Sequence, residues 1–188
     1  MRVSKLICLG ALALVACQKE KPARIHLLVG APPHERTSFA PLSALAEYVE
    51  VPGVGNELRI QLASYQAACD RFIPPGPQDA SVSLVVQLPG GLIPTAGTYT
   101  WSGLVDTDAG VNPLVEKARV IPTARLGRKS YLFQPGGAMA LTRVELEPGG
   151  TITGTLALEF GGDSEHPATA VSGNFSARVC KLDQVKEP

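Results

Sequence analysis

The chain is short of the groups that most enzyme chemistry draws on. It holds three histidines and four cysteines in 188 residues, aromatic side chains make up 5% of it, and basic and acidic residues balance at 17 each. Nucleic-acid binding rests on clustered Lys and Arg that neutralise phosphates, and nothing in the charge balance supplies that footprint. His26, His34 and His166 have no metal-binding spacing, and no His-Glu-x-x-His, Gly-x-Ser-x-Gly, Ser-x-x-Lys or phosphate-loop pattern occurs. No cofactor is expected.

Turn chemistry is what the chain has in abundance. Nineteen Gly and 16 Pro, against 45% apolar and 18% charged residues, give a chain with material for a core but few stretches suited to long helices. The length fits a single domain that buries roughly two thirds of its unfolded surface.

The longest apolar run, residues 6–16, follows Arg2 and Lys5 and is cut off by Gln18, Lys19, Glu20, Lys21 and Pro22. A membrane-spanning helix takes about 20 apolar residues, so this head reads as a secretion signal. Ordinary signal cleavage wants small residues at −1 and −3, and cutting after Ala16 would put Leu14 at −3. Leu14-Val15-Ala16-Cys17 resembles instead the lipobox of bacterial lipoproteins.

That resemblance, confined to residues 1 to about 22, implies a diacylglyceryl group on the Cys17 sulfur, cleavage just before it and acylation of the new amino terminus. Residues 1–16 are then a signal peptide, 17–24 a lipidated N-terminus and tether, and 25–188 a single domain. The partner implied is a lipid bilayer. One myristoyl chain binds only at roughly 10⁴ M⁻¹, whereas two or more chains anchor stably. Gln18 stands where an Asp commonly retains such proteins at the inner membrane, which implies the outer membrane, on its periplasmic face or at the cell surface.

Cys8 departs with the signal and Cys17 carries lipid, leaving Cys69 and Cys180. In an oxidising compartment such a pair, with no second Cys near either member, predicts a structural disulfide rather than a zinc or redox site. Closing a loop near that size contributes about 4.7 kcal/mol in the chain-entropy treatment.

Period-two alternation dominates the rest. In TITGTLALEF, Ile152, Gly154, Leu156, Leu158 and Phe160 form one face; in VSGNFSARVC, Val171, Gly173, Phe175, Ala177 and Val179 do the same, and GGDSEHPA between them predicts an antiparallel pair. Further strands are expected at 44–51, 57–67, 81–88, 97–105, 118–121, 129–134 and 138–145, separated by Pro-Gly turns, with 30–38 as a loop. The expected fold is all-β: an antiparallel β-sandwich of roughly eight to ten short strands with one disulfide. Both Cys69 and Cys180 fall on outward parity, so their bond is expected on the polar side or at frayed strand ends. SGNFSARVC is similar to the closing strand of small β-rich lipoproteins of Gram-negative bacteria, a likeness that brings no activity.

The remaining candidates favour structure over chemistry. Asp106 and Asp108 in DTDAG resemble half a calcium loop, but the twelfth position is Lys117, so a self-capped turn is expected. Tyr99 and Trp101 share a face, expected in the core rather than as a sugar platform. Arg119, Arg125, Arg128 and Lys129 form the densest basic segment, expected as a solvated edge. The function expected is a membrane-anchored envelope lipoprotein acting as a non-catalytic binding or structural module. The alternative is a hydrolase of envelope polysaccharide or peptidoglycan using Asp106, Asp108 or Glu165, which requires two carboxyl groups about 5 to 9.5 Å apart in one cleft.

Overall fold

Alternating side chains are buried on one side only if strands pair in register, and this chain does so with one continuous sheet. The computed structural model describes residues 23–29, 35–51, 55–69, 73, 75–100, 118–132, 136–160 and 169–180. Its strands are β1 (Arg24–Val29), β2 (Glu35–Phe39), β3 (Ser43–Val51), β4 (Gly55–Ala63), β5 (Ala80–Leu88), β6 (Gly97–Thr100), β7 (Arg119–Leu126), β8 (Lys129–Leu132), β9 (Gly137–Val144), β10 (Thr151–Phe160) and β11 (Thr169–Val179). They form a curled sheet, a half-barrel, in the order β6-β9-β10-β11-β3-β4-β5-β7-β8, with β1 between β11 and β2.

β10 and β11 pair antiparallel, Thr151 opposite Arg178 and Phe160 opposite Thr169, as the alternation predicts. β11 is also the joint of the sheet. Along one edge it holds β1 from Thr169 to Asn174, and farther on Arg178 and Val179 lie parallel against Leu45 and Ala46 of β3. The sheet is therefore mixed, where an antiparallel fold was expected. The cause is local: β1 occupies the first part of that edge, and residues 40–42 bring the chain round the start of β1 so that β3 arrives running with β11.

The inward rows of β4, β10 and β11 follow the expected parity. Ile152, Leu156 and Leu158, Val171, Phe175, Ala177 and Val179, and Leu58, Ile60 and Leu62 are all buried in one cluster, which Val82, Leu84 and Val86 of β5 join. Each large side chain of this kind contributes about 1.5–3 kcal/mol by leaving water. Two glycines let backbones close up around that cluster. Gly154 sits opposite Phe175, where a Cβ would lie 2.8 Å from the ring and 2.4 Å from the Ala140 carbonyl, beside a register shift between β9 and β10. Gly173 has φ +143, and a Cβ there would meet the Arg24 carbonyl at 2.1 Å, so glycine is what lets β1 join β11.

Two strands were not expected. β1 was assigned to no element, and β2 falls largely within the expected loop 30–38. Its sequence, ERTSF, has one large apolar residue and no alternation of its own; pairing with β1, Phe39 opposite Ile25, makes it a strand. The strand expected at 57–67 ends at Ala63, because Ser64 turns its N–H and Oγ to the carbonyl and N–H of Ala80, at 2.9 and 2.8 Å. Of the stretch 97–105, residues 101–105 lie outside the described residues.

Candidate functional site

Beyond Ala63 the chain folds back over the outer side of the sheet as a strap, residues 64–69. Ser64 anchors its start on Ala80. The Ala67 N–H donates to Ser43 Oγ at 2.8 Å, and Gln61 Nε2 donates to the Tyr65 hydroxyl at 3.3 Å. Its far end is fixed by the Cys69–Cys180 disulfide, with Cα atoms 5.5 Å apart across 111 residues of sequence. That separation is within the range a disulfide accepts. Cys180 is held just past β11 by its own N–H donating to the Ala46 carbonyl at 2.7 Å. The bond lies on the outer side, with Cys69 exposed and Cys180 half-buried; Cys180 continues the outward parity of β11, whereas the strap carries Cys69 there, because β4 ends at Ala63 and its alternation does not reach residue 69.

Between strap and sheet runs a groove of about 290 Å³. Its floor is two cross-strand rows fixed by register, Leu45, Gln61 and Ser83 in one and Glu47, Arg59 and Val85 in the next. Ala68 and the disulfide form its wall. Arg59 organises the floor: Nε and a terminal nitrogen donate to one Glu57 oxygen at 3.0 and 2.8 Å, and its other terminal nitrogen lies 3.8 Å from Glu47. Glu57 is only 8% exposed and receives Gln87 Nε2 at 3.4 Å on its second oxygen.

This arrangement fixes a guanidinium between two carboxylates whose charges offset it, so the groove is no trap for free anions. Beside it stand an amide, a hydroxyl and two aliphatic side chains. Such a lining reads shape and hydrogen bonding rather than charge. The Arg59 cluster was not singled out from sequence. The outward parity of Glu57, Arg59 and Gln61 was legible, but Glu47 is brought opposite Arg59 only by the β3–β4 register.

The expected candidates are dispersed. Tyr99 is wholly buried, its hydroxyl donating to the Thr95 carbonyl at 2.6 Å and accepting from the Thr95 N–H at 3.0 Å, so it belongs to the core and not to a sugar platform. Arg119 and Arg125 point outward at opposite ends of β7, and Arg128 and Lys129 stand at the β7–β8 turn beside a second concavity of about 380 Å³. His26 is exposed on β1. Cys17, His34, Trp101, Asp106, Asp108, Glu165 and His166 lie outside the described residues. Among the described residues no group of three His, Cys, Asp or Glu side chains is placed to hold a metal ion, and no helix is long and apolar enough to cross a membrane.

Two side chains away from the groove titrate outside their ordinary range. Burial, and then the charge of Glu50, raises the Tyr48 phenol. The Glu145 carboxyl is lowered, first by the hydrogen bond from Arg143 and then by the N–H of Thr151. No protein-family model matches the chain, and neither the curated proteins nor the solved structures yield a match.

Proposed function

We propose that the chain is a bacterial envelope lipoprotein, held on the outer membrane by acyl chains on Cys17, whose β domain is a non-catalytic binding or structural module. The division of the cysteines carries this reading. Cys69 and Cys180 are joined to each other, as suits an exported protein, and Cys17 stands at the modified position of the lipobox, behind the apolar run and ahead of a polar segment.

The binding role rests on the groove beneath the strap. A disulfide and three hydrogen-bonded anchors hold that strap over a floor of mixed polarity. At about 290 Å³ the groove falls just under the size of ordinary ligand pockets, about 300–1,000 Å³, which suits a short segment of a partner better than an enclosed cofactor. The curled sheet is read further as a distorted sandwich with β11 shared by both halves; the single buried cluster that draws on β3 to β5 and on β9 to β11 supports this.

Incorporation of radiolabelled palmitate tests the anchor. Label is expected on the natural protein and none on Cys17→Ser; an unlabelled natural protein refutes the lipoprotein reading. A photo-crosslinking residue at Gln61 tests the groove in intact cells. Adducts are expected from Gln61 and not from the outward Ser172 of β11, and the binding role fails if the two positions behave alike.

A further inference from the structure

β3 outruns the strand beside it. Arg178 and Val179 of β11 lie parallel to Leu45 and Ala46, and β11 ends there, so Glu47–Val51 is held only on its other side, by Gly55–Arg59 of β4. Among the described residues no strand pairs with the side that β11 leaves. That open edge is about 16 Å long. The Cys180 N–H donates to the Ala46 carbonyl, so the backbone groups of Ala46 face β11, and strand alternation turns those of Tyr48 and Glu50 the same way. Their N–H and C=O groups line the edge.

The other edges of the sheet are guarded. β6 and β8 have four residues each, β8 opens on Lys129, and the part of β7 that β8 leaves uncovered, Arg119–Pro122, ends on a proline without an N–H. β2 has one large apolar residue. Glu47–Val51 carries no such device: Tyr48, Val49 and Val51 favour strands, and no Pro, Gly or Lys interrupts them. An edge of that composition invites a further strand.

The chain itself arrives where this edge begins. Val179 is bound to the β9–β10 turn, donating to the Gly150 carbonyl at 2.8 Å and accepting from the Gly149 N–H at 2.9 Å, while Cys180 is bound to Ala46 and, through its sulfur, to Cys69. β11 is thus fixed on both sides and runs along β3 where it ends. Residues 181–188, KLDQVKEP, follow and lie outside the described residues. Carrying the β11–β3 register forward sets Cys180 opposite Glu47, Lys181 opposite Tyr48, Leu182 opposite Val49, Asp183 opposite Glu50 and Gln184 opposite Val51. On that register Leu182 shares the outward parity of the half-buried Val49, and Lys181 shares the inward parity of Tyr48, one step from the Glu50 carboxylate. Asp183 against Glu50 is its one unfavourable pair.

We infer that residues 181–184 dock on the open edge of β3 as a parallel continuation of β11, and so close this edge, beside the groove, to pairing with another chain. In that ladder Glu50 donates to the Leu182 carbonyl, and Leu182 and Gln184 donate to the carbonyls of Tyr48 and Glu50. Lys181 and Asp183 turn their N–H groups away.

Amide hydrogen exchange followed by nuclear magnetic resonance tests this on the Cys17→Ser chain produced behind a cleavable signal. Relative to their unstructured rates, the Glu50, Leu182 and Gln184 amides are expected to exchange roughly tenfold or more slowly than those of Lys181 and Asp183. Leu182→Pro removes a donor that the ladder uses and is expected to release the Glu50 amide. Asp183→Pro removes one that faces away and is expected to leave Glu50 protected. The Val49 amide, which faces β4, is expected to stay slow in both variants. Free exchange at Glu50 in the unsubstituted tail shows an open edge and overturns the inference. Protection of Glu50 that survives Leu182→Pro overturns it too, and if that protection grows with protein concentration the occupant is a second copy of the chain.

Discussion

On β4, Leu58, Ile60 and Leu62 point inward and are buried among apolar neighbours, while Glu57, Arg59 and Gln61 point outward, and Glu57 is nearly as buried as they are. The two faces are buried by different physics. The inner one gains from removing apolar surface from water, which is non-directional and tolerates any residue of the right size. On the outer face a carboxylate loses water only because Arg59 and Gln87 replace it bond for bond, and because register puts them in place. The inner face therefore determines whether the sheet forms; the outer face determines what its surface looks like once it has.

Truncation on the inner face gives the largest separation between the two. Ile60→Ala is expected to cost about 2–5 kcal/mol, whereas Val85→Ala, outward and half-buried in the groove, is expected to cost under about 1.5 kcal/mol. Urea denaturation of both variants measures the gap. If the costs are equal, the groove floor is as tightly packed as the core and the contrast is lost. Removing the disulfide comes next. Cys69→Ala with Cys180→Ala is expected to lose about 2–4 kcal/mol and to speed hydrogen exchange at the Ala67 and Cys180 amides before it affects the Ile60 amide. Uniform acceleration would mean that the strap and the core open as one unit.

The contrast also marks how much of the molecule was legible in its sequence. Inward parity was readable for β4, β10 and β11, because apolar residues at every second position have one stable use. The Cys69–Cys180 pair was readable from the cysteine count and from the exported compartment that the lipobox resemblance implies. β2 was not, because ERTSF becomes a strand only through β1. The parallel contact of β3 with β11 was not, because it depends on where residues 40–42 cross. The groove was legible in part: the outward residues of β4 could be enumerated, but Glu47 beside Arg59 is a product of register, and the strap depends on where Ser64 ends the strand.

Within the outer face the charges themselves should rank by burial. Glu57→Gln removes a buried carboxylate from beneath Arg59 and is expected to cost about 1–2 kcal/mol. Glu47→Gln acts on a longer, more exposed contact and is expected to fall within about 0.5 kcal/mol of the natural protein. Thermal denaturation of the two single variants decides the order, and a reversal would show that Glu47, not Glu57, orients the guanidinium.

Glu145 provides the smallest and most specific expectation, because its effect depends on pH. It stands past β9, where its carboxylate accepts from Arg143 and from the Thr151 N–H at 3.1 Å across the β9–β10 turn. Those bonds favour the ionised form, so in the folded protein the group titrates below its ordinary value of 4.5. A carboxyl lowered in this way adds stability above the unfolded value and loses it as pH falls through the folded one. Glu145→Gln is therefore expected to unfold at slightly lower urea than the natural protein at pH 7, with the gap narrowing below 4.5 and closing once the natural carboxyl is protonated. A gap that persists at the lowest pH would show that Gln fails on shape, not charge. The turn would then be held by the geometry of the acceptor alone.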